Sequence, residues 1–158
     1  MDTRHVYVNS DNRDTGLFPN GNSYTLYLTT AIKDIVKVEL LHATVPNQNN
    51  EASIFLDISE LRTPFNEDAK AMTGNTYSGQ TMQRSFAMVP MLYGSAADFK
   101  QFSKNADYDF TVEYPTPIRK LDRITRQWIK RDGTLVEFSN QSNSFLLRFY
   151  TIHKDFCQ

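Results

Sequence analysis

A single cysteine, Cys157, leaves the chain no partner for an intrachain disulfide, so its fold is built without covalent staples and suits a reducing compartment. Glycine and proline are sparse, six of each in 158 residues, which excludes collagen-like and low-complexity classes. No window approaches the roughly 18 unbroken apolar residues of a membrane-spanning helix. Met1 to Val8 has no apolar stretch of a secretory leader, and a soluble product of cytosolic synthesis is the expectation. Histidine is scarcer still: His5, His42 and His153 stand apart, with no H-x-H or H-E-x-x-H spacing, so a metal centre would need ligands from distant strands. Neither G-x-G-x-x-G nor G-x-x-x-x-G-K-[ST] occurs, and no nucleophile with a base or carboxylate pair has a recognisable local arrangement. The expectation is therefore no enzyme, no cofactor and no metal. Cys157, beside Lys154 at the chain end, reads as a bystander thiol.

Charge is nearly balanced. Seventeen basic against 18 acidic residues leave a net charge of −1, which argues against a protein whose main work is neutralising nucleic-acid phosphates. The distribution is uneven. Residues 1 to 60 hold four Lys/Arg and eight Asp/Glu, whereas Ile118 to Arg131 hold six basic residues (Arg119, Lys120, Arg123, Arg126, Lys130 and Arg131) and one acid, Asp122. Such a stripe reads first as a solvated or edge-protecting strand face, then as a protein interface, and last as a phosphate track.

What the chain has in quantity is aromatic residues, 13 % of the total, with 40 % hydrophobic overall. That is a folding composition, its length fits one domain over residues 1–158, and its aromatics favour half-buried pleated surfaces. Alternation of period two confirms the bias: Tyr108, Phe110, Val112 and Tyr114 interleave with polar residues up to Pro115, which removes a ladder donor. Tyr24 to Leu28 and Phe145 to Tyr150 alternate likewise, with shorter candidates at His5 to Val8, Ile54 to Ile58 and Arg84 to Val89. In Ile35 to Val45 the apolar phase changes: Val36, Val38 and Leu40 share one face, Leu41, Ala43 and Val45 the other. A bulge or bend near Leu40 is expected, where one strand passes between facing sheets. Leu121 to Lys130 reads as a strand because Asp132-Gly133 suits a tight hairpin, with Thr134 to Phe138 as its second arm. Asn9 to Asp14 reads as a loop held by its own side chains. Ser95 to Asp98 has capping-box spacing ahead of Phe99 and Phe102, so one short helix is expected in the connection Met91 to Ala106. The other long connection, Arg62 to Gln83, is polar. Asn140-Gln141-Ser142 matches a glycosylation sequon by its three residues alone.

About eight strands without βα alternation predict an all-β fold, a single jelly-roll β-sandwich of two antiparallel sheets. The order of His5-Val6-Tyr7-Val8-Asn9-Ser10 with Arg13-Asp14, Pro19-Asn20-Gly21-Asn22-Ser23-Tyr24, and Ile35 to Leu41 closing on Val45-Pro46-Asn47 resembles the penton and minor capsid proteins of nucleocytoplasmic large DNA viruses. Leu121-Asp122-Arg123-Ile124 before the Asp132-Gly133 hairpin, and a last strand at Ser144 to Ile152, extend the resemblance over most of the chain. The loops Arg62 to Gln83 and Met91 to Ala106 depart from it.

The resemblance implies a single jelly roll that forms a homopentamer at the five-fold vertices of an icosahedral capsid. Its partners would be major capsid and other minor capsid proteins, with no nucleic acid and no membrane span. Its place would be the virion, after synthesis and assembly in host cytoplasm. A closed ring needs two dissimilar complementary flanks, and the acidic excess in residues 1 to 60 facing the basic stripe is one such pair. The rival readings are a minor capsid or cement protein under or between capsomers, and a receptor- or glycan-binding jelly roll stacking sugars on Tyr77 or Tyr93.

Overall fold

The computed structural model describes residues 1–66, 68–69, 82 and 85–152. Seven strands are present among them: β1 (Asp2–Asn9), β2 (Ser23–Pro46), β3 (Ser53–Ile58), β4 (Ala87–Pro90), β5 (Phe99–Ser103), β6 (Phe110–Ile129) and β7 (Ser144–Thr151). Single 3-10 turns follow β1 at Ser10–Asn12 and β3 at Ser59–Leu61. All strand neighbours are antiparallel, in the order β1-β7-β2-β6-β3-β4, with β5 beside β2. The fold is all-β, a curled antiparallel sheet.

Two strands are too long to be straight. At about 3.3 Å per residue, β2 with 24 residues would reach about 80 Å and β6 with 20 about 66 Å, whereas a chain of this length packs into about 40 Å. They bend at bulges. Between the pairs Tyr27/Arg123 and Ile32/Leu121, β2 inserts Leu28 to Ala31 opposite Asp122. Between Ile35/Ile118 and Lys37/Glu113, β6 inserts Tyr114 to Pro117 opposite Val36. The N-terminal part of β2 thus pairs with the end of β6, which carries β3 and β4, while its C-terminal part carries β7, β5 and the start of β6.

This geometry corrects several expectations. Tyr24 to Leu28 and Ile35 to Val45 are one strand, as are Tyr108 to Tyr114 and Leu121 to Lys130. Pro115 does not close its strand; it sits in the bulge, where no ladder donor is needed. The expected short helix after Ser95 is strand β5. Ser95 Oγ accepts from Ala97 N at 3.2 Å, a turn bond to the second residue on, and Phe99 to Ser103 then pairs with Pro46 to His42. The unpaired edge of β2 offers five residues a ladder that local spacing cannot reveal. The arm Thr134 to Phe138 is reduced to one bridge, Ile129 with Leu135, although the turn is as expected, with Gly133 at φ 86° and Lys130 N donating to Thr134 O at 2.8 Å. The phase change near Leu40 is present: Leu40 pairs with Leu147 and His42 with Leu146, so Leu41 is the extra residue, and burial passes from Val38 and Leu40 to Ala43 and Val45. Arg84, Tyr77, His153, Cys157 and most of Arg62 to Gln83 lie outside the described residues.

One apolar cluster draws on every strand. β7 contributes Phe145, Leu147 and Phe149, β6 contributes Leu121, Ile124 and Trp128, and β3 contributes Ile54, Leu56 and Ile58. Trp128 meets Phe138 and Phe145 edge-on, with ring centroids 6.3 and 6.1 Å away, joining β6, the hairpin arm and β7. Truncating Phe145 to alanine should lower unfolding free energy in urea by about 3–5 kcal/mol. The same change at exposed Tyr27 should leave it within about 0.5 kcal/mol, and equal losses at the two sites would contradict this assignment of the core.

Candidate interaction surfaces

The six basic residues do not share a face. Arg119, Lys120, Arg123 and Arg131 are exposed and Lys130 is half-buried. Lys120 lies opposite Lys33 in the ladder and 3.5 Å from Asp122, while Arg123 Nε is 3.7 Å from Glu60 Oε1. Arg126 is the exception. It follows the inward phase of Ile124 and Trp128 and is fully buried (0 % exposed), so it is unavailable to a neighbouring subunit. The stripe as a candidate interface is thereby reduced to the other five.

Arg126 anchors a polar knot. Its guanidinium lies 3.3 Å over the ring of Tyr24, its cross-strand partner, and Nη2 donates to Gly21 O at 2.8 Å. Nε, Nη1 and the Tyr24 hydroxyl have no hydrogen-bond partner among the described residues. Burial, aided by the like charge of Arg13, pushes the guanidinium down to about 9. Gly21 O also accepts from Asn143 Nδ2 at 2.8 Å, and Asn143 Oδ1 accepts from Trp128 Nε1 at 3.1 Å. Asn143 and Ser10 exchange two further bonds, Asn143 N to Ser10 Oγ at 3.0 Å and Ser10 N to Asn143 O at 2.9 Å. Arg13 ties the loop after β1 by donating to Ser10 O, Phe18 O and Pro19 O. A Cβ at Gly21 would sit 3.4 Å from Asn143 Nδ2 and 3.5 Å from Ser10 Cβ, ordinary van der Waals contact that fills the space left beside the knot.

A second charged group lies on the outer face. Glu39 on β2 is buried and takes Lys37 Nζ at 3.3 Å and Lys104 Nζ at 3.2 Å, with Tyr150 Oη donating at 3.0 Å and Arg148 Nη1 at 3.4 Å. Burial alone would raise the Glu39 carboxyl; the bonds from Lys104, Tyr150 and Lys37 outweigh it and hold the carboxyl below its ordinary value. His5 meets Arg148 Nε at 3.2 Å, and His42 meets Thr44 Oγ1 at 3.1 Å. Among the described residues no three His, Cys, Asp or Glu side chains gather as a metal-binding group, and no helix is long and apolar enough to cross a membrane.

A groove of about 610 Å³ lies between β1, the N-terminal part of β2, and β6. Val6, Val8, Phe18, Leu26 and Ile124 supply apolar lining, Asp14 and Arg123 supply charge, and Tyr7, Leu17 and Tyr27 are 58, 73 and 75 % exposed beside it. A second hollow of about 450 Å³ lies beside Tyr93, between Phe55, Met88, Glu51 and Arg131. Tyr93 is 70 % exposed, so the one sugar-stacking candidate within the described residues does face solvent.

Comparison with protein-family models and with curated proteins finds no match to this chain.

Sequence reasoning missed the knot and the groove. The alternation of Ile124, Arg126 and Trp128 carried the signal for a buried arginine, but a tally of charges obscured it. Nothing local announces the groove, because it forms only when the curl brings three strands together.

Two outcomes follow. The Arg126 guanidinium is harder to keep protonated folded than unfolded, so its cost is fully present below about pH 9 and is progressively relieved as pH rises above that. Arg126→Met should therefore match or exceed the parent melting temperature at pH 7, with an advantage that shrinks above pH 9; a loss of several degrees at pH 7 would contradict this. For Glu39 the sign is opposite: the stability it adds is present above about pH 4.5 and lost as pH falls below it. Glu39→Gln should flatten the decline of melting temperature between about pH 5 and 3; an unchanged acid slope would assign the decline to other carboxylates.

Proposed function

We propose that this chain is a structural virion protein, the penton capsomer at icosahedral five-fold vertices, working by self-assembly and not by catalysis. The observation that carries the reading is the polar knot. The segments on which the sequence resemblance rests, Asn9 to Asp14, Pro19 to Tyr24 and the strand after Leu121, are far apart in the chain, yet Ser10, Arg13, Gly21, Tyr24 and Arg126 converge within it. Their polar groups hold two loops and two strands together instead of converging on a place for a reacting atom, and that suits a building block better than an enzyme.

The finer architecture in this proposal is a single jelly roll. If β2 and β6, each bent at bulges, count twice, one layer holds β1, β7, the C-terminal part of β2, the start of β6 and β5. The other then holds the N-terminal part of β2, the end of β6, β3 and β4. Five copies in a ring would use one flank of each subunit against a different flank of the next. Major capsid and other minor capsid proteins would surround them in a virion assembled in host cytoplasm.

Light scattering after size exclusion should give five times the chain mass, and electron microscopy of the same peak should show five-fold rings. A monomer at every concentration, alone and with capsid components, would contradict the proposal. Reversing the exposed part of the basic stripe with Arg119→Glu and Lys120→Glu should weaken the ring at low salt while leaving thermal melting within about 2 °C, since surface substitutions rarely exceed about 0.5 kcal/mol in stability. Unaffected assembly would remove these residues from the interface.

A further inference from the structure

We propose that the groove beside β1 receives the Leu92–Tyr93 knob of a second copy of this chain, and that this contact closes the ring. The inference rests on the self-assembly proposed above and names the two surfaces that carry it.

The knob is preorganised. Asn47, just beyond β2, donates from Nδ2 to Leu92 O at 3.1 Å and to Ser95 O at 3.4 Å, and its Oδ1 accepts from Leu92 N at 2.9 Å. Gly94, at φ 71°, donates to Asn49 O at 2.9 Å, and Ser95 N donates to Leu92 O at 3.0 Å. A tight loop fixed by five hydrogen bonds nevertheless presents Leu92 and Tyr93 to solvent, 40 and 70 % exposed. Fixing an apolar pair outward costs burial with no return inside the monomer, and a rigid aromatic lowers the entropic cost of binding elsewhere.

The groove has the converse shape. It is concave, with Val6, Phe18 and Leu26 set among polar residues such as Asn12 and Thr25, and it lies along β1, an eight-residue edge strand bonded on one side by β7. β1 and β4 terminate the sheet order, and the knob sits in the connection from β4 to β5. Groove and knob are two different surfaces of the chain, as a head-to-tail contact requires. Charge agrees with the pairing: Asp14 and Arg123 stand at the groove, Arg131 and Glu51 beside the knob, so that Asp14 can face Arg131 and Arg123 can face Glu51.

The test uses the full chain with Cys157→Ser as background. Tyr27→Cys combined with Tyr93→Cys, under mild oxidation, should give disulfide-linked species up to the closed ring, whereas either cysteine alone should not. Leu92→Ser with Tyr93→Ser should weaken association about tenfold or more without lowering the melting temperature, and Tyr27→Asp should do the same from the other side. If the parent assembles but the paired cysteines do not link and the knob variant assembles normally, the inference is overturned while self-assembly stands. If Tyr27→Asp alone disrupts assembly, the groove takes another segment and the knob assignment is wrong. If the parent remains a monomer under all conditions, both the inference and the self-assembly reading fall.

Discussion

The structure depends on the pairing of β2 with β6. Each is longer than the molecule is wide, so neither can pair along its full length without bending, and both bend at inserted residues that interrupt the ladder. Because the two strands remain paired on both sides of the bends, the sheet curls instead of breaking into independent pieces. Every other strand is placed by this pair: β7 and β5 on the C-terminal part of β2, β3 on the end of β6, β1 and β4 at second remove. The apolar cluster is the volume the curl encloses, which explains why residues from all seven strands meet in it.

The loops at the ends of the curled sheet must be tied to its strands, and the knot around Gly21 does this for the loops after β1 and before β2 and β7. Its backbone carbonyl takes bonds from two long-range donors, Arg126 and Asn143, while Asn143 also holds Trp128 and Ser10. A buried cation with no carboxylate partner among the described residues is an unusual tie, since a charge loses far more solvation on burial than one carbonyl restores. The face of Tyr24 supplies part of the missing attraction, and the arrangement places recognition between strands above maximal stability. Glu39 is handled differently, with several donors around one carboxylate, and is accordingly held ionised.

Much of this was legible in the chain, and the failures share a cause. Period-two alternation located β7 and parts of β2 and β6 and placed the bend near Leu40, while short apolar segments between polar or turn residues marked β1, β3 and β4 and nothing marked β5. Asp132-Gly133 marked its turn because a positive φ at Gly133 is a local demand. Strand continuity was not legible: Pro115 reads as a stop, and only a partner in register with a bulge opposite Val36 turns it into a corner. The Ser95 to Phe102 segment carries helix-like spacing, but an open β2 edge outcompetes a helix too short to sustain itself. The basic stripe was legible as composition and misleading as a surface, since Arg126 shares the phase of Ile124 and Trp128. The groove and the knob have no sequence signature, because each is made of residues that meet only in three dimensions.

The central claim is that the two bent strands tie the whole sheet into one cooperative unit. Native-state hydrogen exchange tests it directly, by comparing the protected amides of β2 on the two sides of its bends, Ser23 to Tyr27 and Lys37 to Leu40. The account predicts that both sets exchange with one common free energy, equal to that of global unfolding and equally sensitive to denaturant. Exchange of one set through a separate opening of lower free energy would show two independent sheets, and would contradict it.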